Sequence, residues 1–197
     1  MAIVPGLSCE HAHAPDVMRG EETQIFGVMQ IAGVRDGCFV LPGTHSKWAW
    51  VHDGRIQRFT TLMTGEVFAA LSQHTILART VDPHAALDAE AFLQGVDLAH
   101  TGQGLLHHAF GARTLALFQR MSAGALASYL SGLCIGEELR TMLTPSQKLV
   151  MLIGSPALTQ RYALALRHRG VQSHVFGAES TWAGLHALSK MLPAPHP

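Results

Sequence analysis

The chain has 197 residues, 48% hydrophobic and 14% charged, with 14 Lys+Arg balanced by 14 Asp+Glu. That length and composition suit one or two compact domains and exclude a disordered tail, and zero net charge gives no long-range field for nucleic acid or an anionic membrane. Ordinary domains carry roughly 25% charged residues, so this surface is expected to leave apolar area for another lobe or subunit to cover. The 13 His residues would make the chain cationic near pH 6.

Cys9, Cys38 and Cys134 stand far apart with no C-x-x-C spacing, so neither a zinc knuckle nor a disulfide framework is expected, and a reducing cytoplasm is the simplest setting. The longest uncharged stretch, Met121 to Gly136, is too short and too polar for the roughly 20 apolar residues of a spanning helix. It reads as a buried helix. The start, Met1 to Gly6, lacks the basic region and apolar core of a secretion signal.

In chain order, Ala2 to Val4 reads as a strand, followed by a loop to residue 20. From Glu22 to Ala32, Ile25, Val28, Met29 and Ala32 recur at helical spacing, with Gly33 as the stop. The period then changes to two. Cys38 to Leu41, Trp48 to Val51 and Ile56 to Leu62 are predicted as three consecutive antiparallel strands, the last two joined by an Asp53-Gly54 hairpin turn. Thr64 is placed to cap a helix whose body, Val67 to Leu77, puts Val67, Phe68, Leu71 and Ile76 largely on one side. Further helices are expected over Ala85 to Gln94, after a turn at Pro83, and over Leu105 to Arg120. Leu126, Tyr129, Leu130, Leu133 and Cys134 form a continuous stripe on a long helix ending near Leu143 and Pro145. The remainder alternates as strand Lys148 to Ile153, helix Pro156 to Arg169 stopped by Gly170, strand Val171 to Phe176 and helix Thr181 to Leu192, with a right-handed crossover expected. The class is α/β, with an antiparallel hairpin portion and a parallel β-α-β unit, and residues 193–197 form a tail.

Three segments offer chemistry. At Arg19-Gly20-Glu21-Glu22-Thr23-Gln24, two carboxylates sit at the positive end of a helix dipole, where one of them can take a proton from a hydroxyl; acidic first turns also serve helices with no such role. Between two hairpin strands, Gly43, Thr44, His45, Ser46 and Lys47 gather backbone amides, hydroxyls and positive charge suited to phosphate oxygens. This is not a Walker loop, which needs G-x-x-x-x-G-K-S/T leading into a helix, and a solvated turn is the plainer reading. Gly154-Ser155 opens a helix at the carboxyl edge of a parallel sheet, where ligands tend to bind, although a lone glycine also serves as an ordinary turn. His11, His13, His107 and His108 lack the spacing of a zinc site. Trp48, Trp50 and Trp182 are expected to pack. No Gly-x-Ser-x-Gly elbow occurs and the cysteines have no obvious His partner, which disfavours a hydrolase.

The order of segments adds more. Val4-Pro5-Gly6, Pro15 to Gln24 with its continuous DVMRGEETQ string, Leu41 to Trp48 as LPGTHSKW, Phe59 to Glu66, Ser131 to Leu139, Leu152 to Gly154 and Gly184-Leu185 closely resemble 2-dehydro-3-deoxygalactonokinases over essentially the whole chain. The resemblance implies an actin-like, hexokinase-like ATPase fold (ribonuclease H-like) and transfer of the γ-phosphoryl of ATP, with Mg2+, to the terminal hydroxyl of 2-dehydro-3-deoxy-D-galactonate in galactonate breakdown. It further implies that Gly43 to Lys47 is a second phosphate loop, that Gly154-Ser155 lies on the adenosine side, and that Glu21 or Glu22 is the acidic base. Arg19 would pair with the substrate carboxylate and Gln24 would join it in binding the sugar acid. Metal ligands are not indicated.

Family members begin with a separate lobe carrying an Asp-x-Gly-Thr-Thr phosphate loop, and no such string occurs here. Residues 1–192 therefore correspond to the C-terminal kinase lobe with the start of the interlobe region. Phosphoryl transfer needs positioning and charge neutralisation from both sides of the cleft, so this chain alone is expected to catalyse poorly or not at all. Besides sugar acid and ATP, its expected partners are the N-terminal lobe or a second copy in a homo-oligomer. The alternatives are a non-catalytic remnant binding sugar acid or another subunit, and a kinase for a related keto-sugar acid.

Overall fold

The computed structural model describes residues 3–191. They divide into two compact units, one built from residues up to Thr61, Leu149–Arg161 and from Gln172 onward, the other from Leu62–Lys148 and Tyr162–Val171. The first contains β1 (Leu7–Glu10), β2 (Pro15–Met18), α1 (Glu21–Ala32), β3 (Gly37–Leu41), β4 (Ser46–His52) and β5 (Arg55–Leu62, up to Thr61). The second contains α2 (Thr64–His74), a 3-10 turn (Ile76–Arg79), α3 (Ala89–Ala99), α4 (Leu105–Leu117) and α5 (Ala123–Met142). The chain then supplies β6 (Leu149–Ile153) to the first unit, α6 (Pro156–His168) with its residues shared between the two, and β7 (Gln172–Phe176) and α7 (Glu179–Ser189) to the first.

In the first unit the strands form a mixed sheet in the order β5-β4-β3-β6-β7. β3 is central and its Cys38-Phe39-Val40-Leu41 run is buried on both faces, as a strand flanked by helices requires. It pairs antiparallel with β4, Val40 opposite Trp48, and parallel with β6, Val40 opposite Leu152; β6 pairs parallel with β7. Asp53 (φ 48°) and Gly54 (φ 73°) turn β4 back as β5 through the left-handed conformations a two-residue hairpin demands, as predicted. The carboxyl ends of β3, β6 and β7 and the amino end of β4 therefore share one edge.

α1 turns Ile25, Val28 and Met29 into a core with Phe39, Leu41, Ala49, Phe59 and Met151, and ends where Gly33, left-handed at φ 64°, donates its N–H to Met29 O. α7 crosses α1 at very short range: a Cβ on Gly27 would fall 1.7 Å from Ser180 O and one on Gly184 2.0 Å from Thr23 O. The second unit uses the same device. A Cβ on Gly132 would lie 2.0 Å from Phe92 O and one on Gly95 2.2 Å from Tyr129 O, so α3 and α5 pack backbone to backbone over Leu126, Tyr129, Leu130 and Leu133. Among the described residues, no helix is long and apolar enough to cross a membrane.

Several expectations need correction. The segment read as a loop to residue 20 holds the antiparallel β1–β2 pair, Leu7 opposite Met18, while Ile3 and Val4 are not in a strand; Ala2 lies outside the described residues. Thr64 does not cap α2: Met63 holds the cap position, and the Thr64 hydroxyl donates instead to the buried Glu138. α2 stops at His74, and Ile76, in the 3-10 turn after it, is exposed. α3 begins four residues later than predicted because Asp88 caps it, accepting from Ala91 N–H. α4 ends at Leu117 rather than Arg120, with Gln119 left-handed. α7 begins at Glu179, and Trp182 on it is exposed rather than packed; Leu192 and the tail lie outside the described residues.

Candidate active site

The sheet edge holding the carboxyl ends of β3, β6 and β7 collects most of the chemistry-bearing residues, all within the first unit. β3 delivers Pro42 and Gly43, and Thr44 and His45 form the exposed crest of the turn. Ser46 and Lys47 open β4 and are buried. Lys47 owes its position to strand alternation and to its pairing with Leu41. A buried ammonium is costly without a counter-charge, and α1 provides one. Lys47 Nζ lies 3.8 Å from Glu21 Oε1, with the Lys47 side chain 7% exposed and that of Glu21 27% exposed. The turn between strands and the acid at the helix entrance are thus neighbours.

The two glutamates differ in what they do. Gly20, left-handed at φ 103°, leads into α1 without a side-chain cap of its own. Glu21 Oε2 accepts the Arg19 N–H at 2.9 Å, and its other oxygen faces Lys47. Glu22 is buried; its Oε2 accepts the Gly20 N–H at 2.7 Å, and its Oε1 has no hydrogen-bond partner among the described residues. Arg19 is exposed. Gln24 is half-buried and donates from Nε2 to Thr181 Oγ1 at 3.2 Å, joining α1 to α7.

Gly154 lies against the β3 end, its Cβ position 3.5 Å from Pro42 O, and its N–H donates to Phe176 O at 3.1 Å. Ser155 is exposed, with Pro156 at the first position of α6, where its missing N–H costs nothing. The Gly43 and Gly154 turns are therefore adjacent at one sheet edge. A cavity of about 480 Å³ in this unit lies elsewhere, between the end of α1 and the Asp53-Gly54 turn, beside the Arg35–Asp53 ion pair.

Sequence reasoning singled out neither Asp16 nor Thr61. Asp16 accepts the Thr61 hydroxyl at 2.6 Å, the Thr61 N–H at 2.7 Å and the Val17 N–H at 2.7 Å. Burial pushes its carboxyl up, but the Thr61 and Val17 hydrogen bonds and the Lys47 charge outweigh that and hold it below the ordinary value. Lys47 is thus within electrostatic reach of two carboxylates. His11 Nε2 lies 2.9 Å from Phe59 O and must carry the proton, because a carbonyl only accepts. These bonds pin β1–β2 to β5. The signal was in the sequence only as the Asp16 that opens the DVMRGEETQ string; its partner is 45 positions away.

Among the described residues, no three His, Cys, Asp or Glu side chains converge to hold a metal ion. Cys38 and Cys134 are buried free thiols, each pushed up to about 12 by burial.

Comparison with known proteins gives this arrangement a lineage. The chain is 36% identical over 197 residues to "Probable 2-dehydro-3-deoxygalactonokinase DgoK1" of Rhizobium meliloti (strain 1021), a match covering 96% of this chain and 64% of that protein. It is 31% identical over 190 residues to the 2-dehydro-3-deoxygalactonokinase of Escherichia coli (strain K12), covering 95% of this chain and 64% of the relative. A crystal structure from Sinorhizobium meliloti, described as a "putative 2-dehydro-3-deoxygalactonokinase protein", superposes with a TM-score of 0.86 at 34% identity over 97% of this chain and 65% of that one. The chain thus spans about 64% of the length of the curated relatives it matches. The model of the 2-keto-3-deoxy-galactonokinase family matches residues 1–188, and the chain belongs to that family.

Proposed function

We propose that the chain is the part of an ATP-dependent sugar-acid kinase that holds the phosphates and activates the acceptor, phosphorylating 2-dehydro-3-deoxy-D-galactonate at its terminal hydroxyl. The observation that carries this reading is the 3.8 Å approach of Glu21 to the buried Lys47 of the Gly43–Lys47 turn. A phosphate seated on the turn amides and Lys47 would lie close to an acceptor hydroxyl beside Glu21, the proximity that phosphoryl transfer uses. Of the two glutamates, Glu21 is the base: it keeps solvent access and faces the turn, whereas buried Glu22 spends one oxygen on the Gly20 amide. Glu21 takes the acceptor proton, and the Lys47 ammonium stabilises the charge gathering on the transferred group.

The sheet order, three antiparallel strands followed by two parallel to the first, supports the actin-like, ribonuclease H-like reading of the fold. Gly154-Ser155 beside Pro42 suits the adenosine side, and exposed Arg19 suits the sugar carboxylate. The Mg2+ of this reading would accompany the nucleotide and neutralise phosphate charge. A cytoplasmic setting suits three free thiols.

Coupled ADP detection with the sugar acid tests the assignment. Turnover, in this chain or in the chain joined to the N-terminal segment of a longer relative, should fall by about 100-fold or more with Glu21→Gln. Glu22→Gln should act mainly on stability. Preserved turnover in Glu21→Gln overturns the base assignment.

A further inference from the structure

Beside the C-terminal ends of α3, α5 and α6 the second unit holds a cavity of about 360 Å³, within the roughly 300–1,000 Å³ of small-molecule pockets. His100, Arg140, Lys148 and Arg169 line it, and among the described residues no Asp or Glu does. Three of the chain's 14 Lys+Arg thus meet in one concavity, although the surface as a whole carries few charges. None of these residues belongs to the candidate active site.

Cations near helix ends commonly serve the helix dipole alone. That does not account for these. α6 closes its own carbonyls: Gly170, left-handed at φ 75°, donates its N–H to Arg167 O at 3.0 Å, and the Val171 N–H reaches Leu166 O at 2.9 Å. Lys148 stands beyond α5, which ends at Met142, and has no hydrogen bond or ion pair among the described residues. The two guanidiniums are held by carboxylates outside the lining. Arg140 donates from Nε to Glu137 Oε2 at 3.2 Å and from Nη2 to Glu137 Oε1, which leaves its Nη1 unused. Arg169 Nη1 lies 3.7 Å from Asp97 Oδ1, which also accepts from His168 Nε2 at 2.7 Å. A guanidinium carries five N–H donors, so each keeps some for a ligand while its carboxylate fixes its position. His100 donates from Nδ1 to Val96 O at 2.9 Å, and its Nε2 has no hydrogen bond among the described residues. An unpaired ammonium, two oriented forks and an imidazole suit a compact dianion with several acceptor oxygens, which is the chemistry of a phosphate group.

We propose that this cavity binds the phosphate group of a small molecule, either inorganic phosphate or a phosphomonoester. The proposal does not depend on the reading of the active site. It is tested by amide NMR of the isotope-labelled chain, titrated with sodium phosphate at a constant ionic strength of about 0.15 M. The Lys148, Gly170 and Val171 resonances should shift saturably, with a dissociation constant of about 1 mM or below. Lys148→Glu, at an exposed position with no partner to lose, should abolish these shifts, and Arg169→Ala should weaken binding about tenfold or more. Lys47→Ala should leave them unchanged, which separates this site from the Gly43–Lys47 turn. Glycerol phosphate is the second probe: tighter binding than that of inorganic phosphate assigns the site to a phosphomonoester, and binding no tighter assigns it to the free ion. No saturable shift up to about 20 mM phosphate overturns the proposal. Shifts matched by sodium chloride at the same ionic strength, or shifts that survive Lys148→Glu, overturn it equally.

Discussion

Each unit holds a glutamate against other polar groups, and the two settings differ in burial and in partner. In the helical unit, Glu138 is buried and its Oε2 accepts the Tyr162 hydroxyl at 2.8 Å and the Thr64 hydroxyl, holding α2 and α6 to α5. In the sheet unit, Glu21 is the first residue of α1, its side chain 27% exposed and shared between a backbone amide and a buried lysine. A carboxylate saturated by hydroxyls inside a helical core is architecture. One held at a sheet edge by an ammonium and a backbone amide, with solvent access, suits the proton transfer proposed for it. Identity of the side chain decides neither case; burial and partner chemistry do.

Glycines at helix crossings give the largest effect. Because a Cβ at Gly132 would fall 2.0 Å from Phe92 O, Gly132→Val must separate α3 from α5 and should cost about 3 kcal/mol or more. Trp48, Trp50 and Trp182 all belong to the sheet unit, so tryptophan fluorescence reports that unit alone. In urea, the Gly132→Val chain should lose far-UV helix signal before its tryptophan signal changes. Coincident transitions would show that the units unfold together and would blur the distinction drawn between them.

The two acids come next. Glu138→Leu removes the acceptor of the buried Tyr162 hydroxyl and of the half-buried Thr64 hydroxyl and should cost about 3 kcal/mol in urea denaturation, with Tyr162→Phe costing about 1 kcal/mol. Glu21→Gln should cost less than about 1 kcal/mol, since its pair is partly solvated. Equal costs would erase the contrast.

The smallest effect is a pH dependence. The Asp16 carboxyl is held below the ordinary aspartate value of 3.8, so its contribution is present above that pH and lost as the pH falls through the lower native value. Asp16→Asn should therefore be destabilised by about 1 kcal/mol at pH 7, with the difference from wild type shrinking below pH ~4. A difference that grows on acidification would contradict the hydrogen-bonded carboxylate.

What could be read in the sequence was what short-range physics determines. Gly33 ended α1, Asp53-Gly54 made the hairpin, and the Leu126 to Cys134 stripe lay in α5, because each depends on residues within a few positions. The β1–β2 pair carries little local signal because each strand has only four residues, most of them exposed, and Pro15 reads as a breaker. Thr64 was a reasonable cap by local rules, but Glu138, 74 positions away, takes its hydroxyl. The site divided the same way. The Gly43–Lys47 turn and the Glu21-Glu22 pair were visible as strings, whereas the closeness of Lys47 to Glu21 and the clamp of Thr61 on Asp16 come from tertiary structure.

The central claim is that the Gly43–Lys47 turn cradles phosphate with Glu21 beside it as the base. Isothermal titration of the chain with ATP and Mg2+ tests it most directly. Wild type and Glu21→Gln should bind with similar affinity, and Lys47→Ala should bind about tenfold or more weakly. Absence of binding by the wild type, or an affinity unmoved by Lys47→Ala, would contradict it.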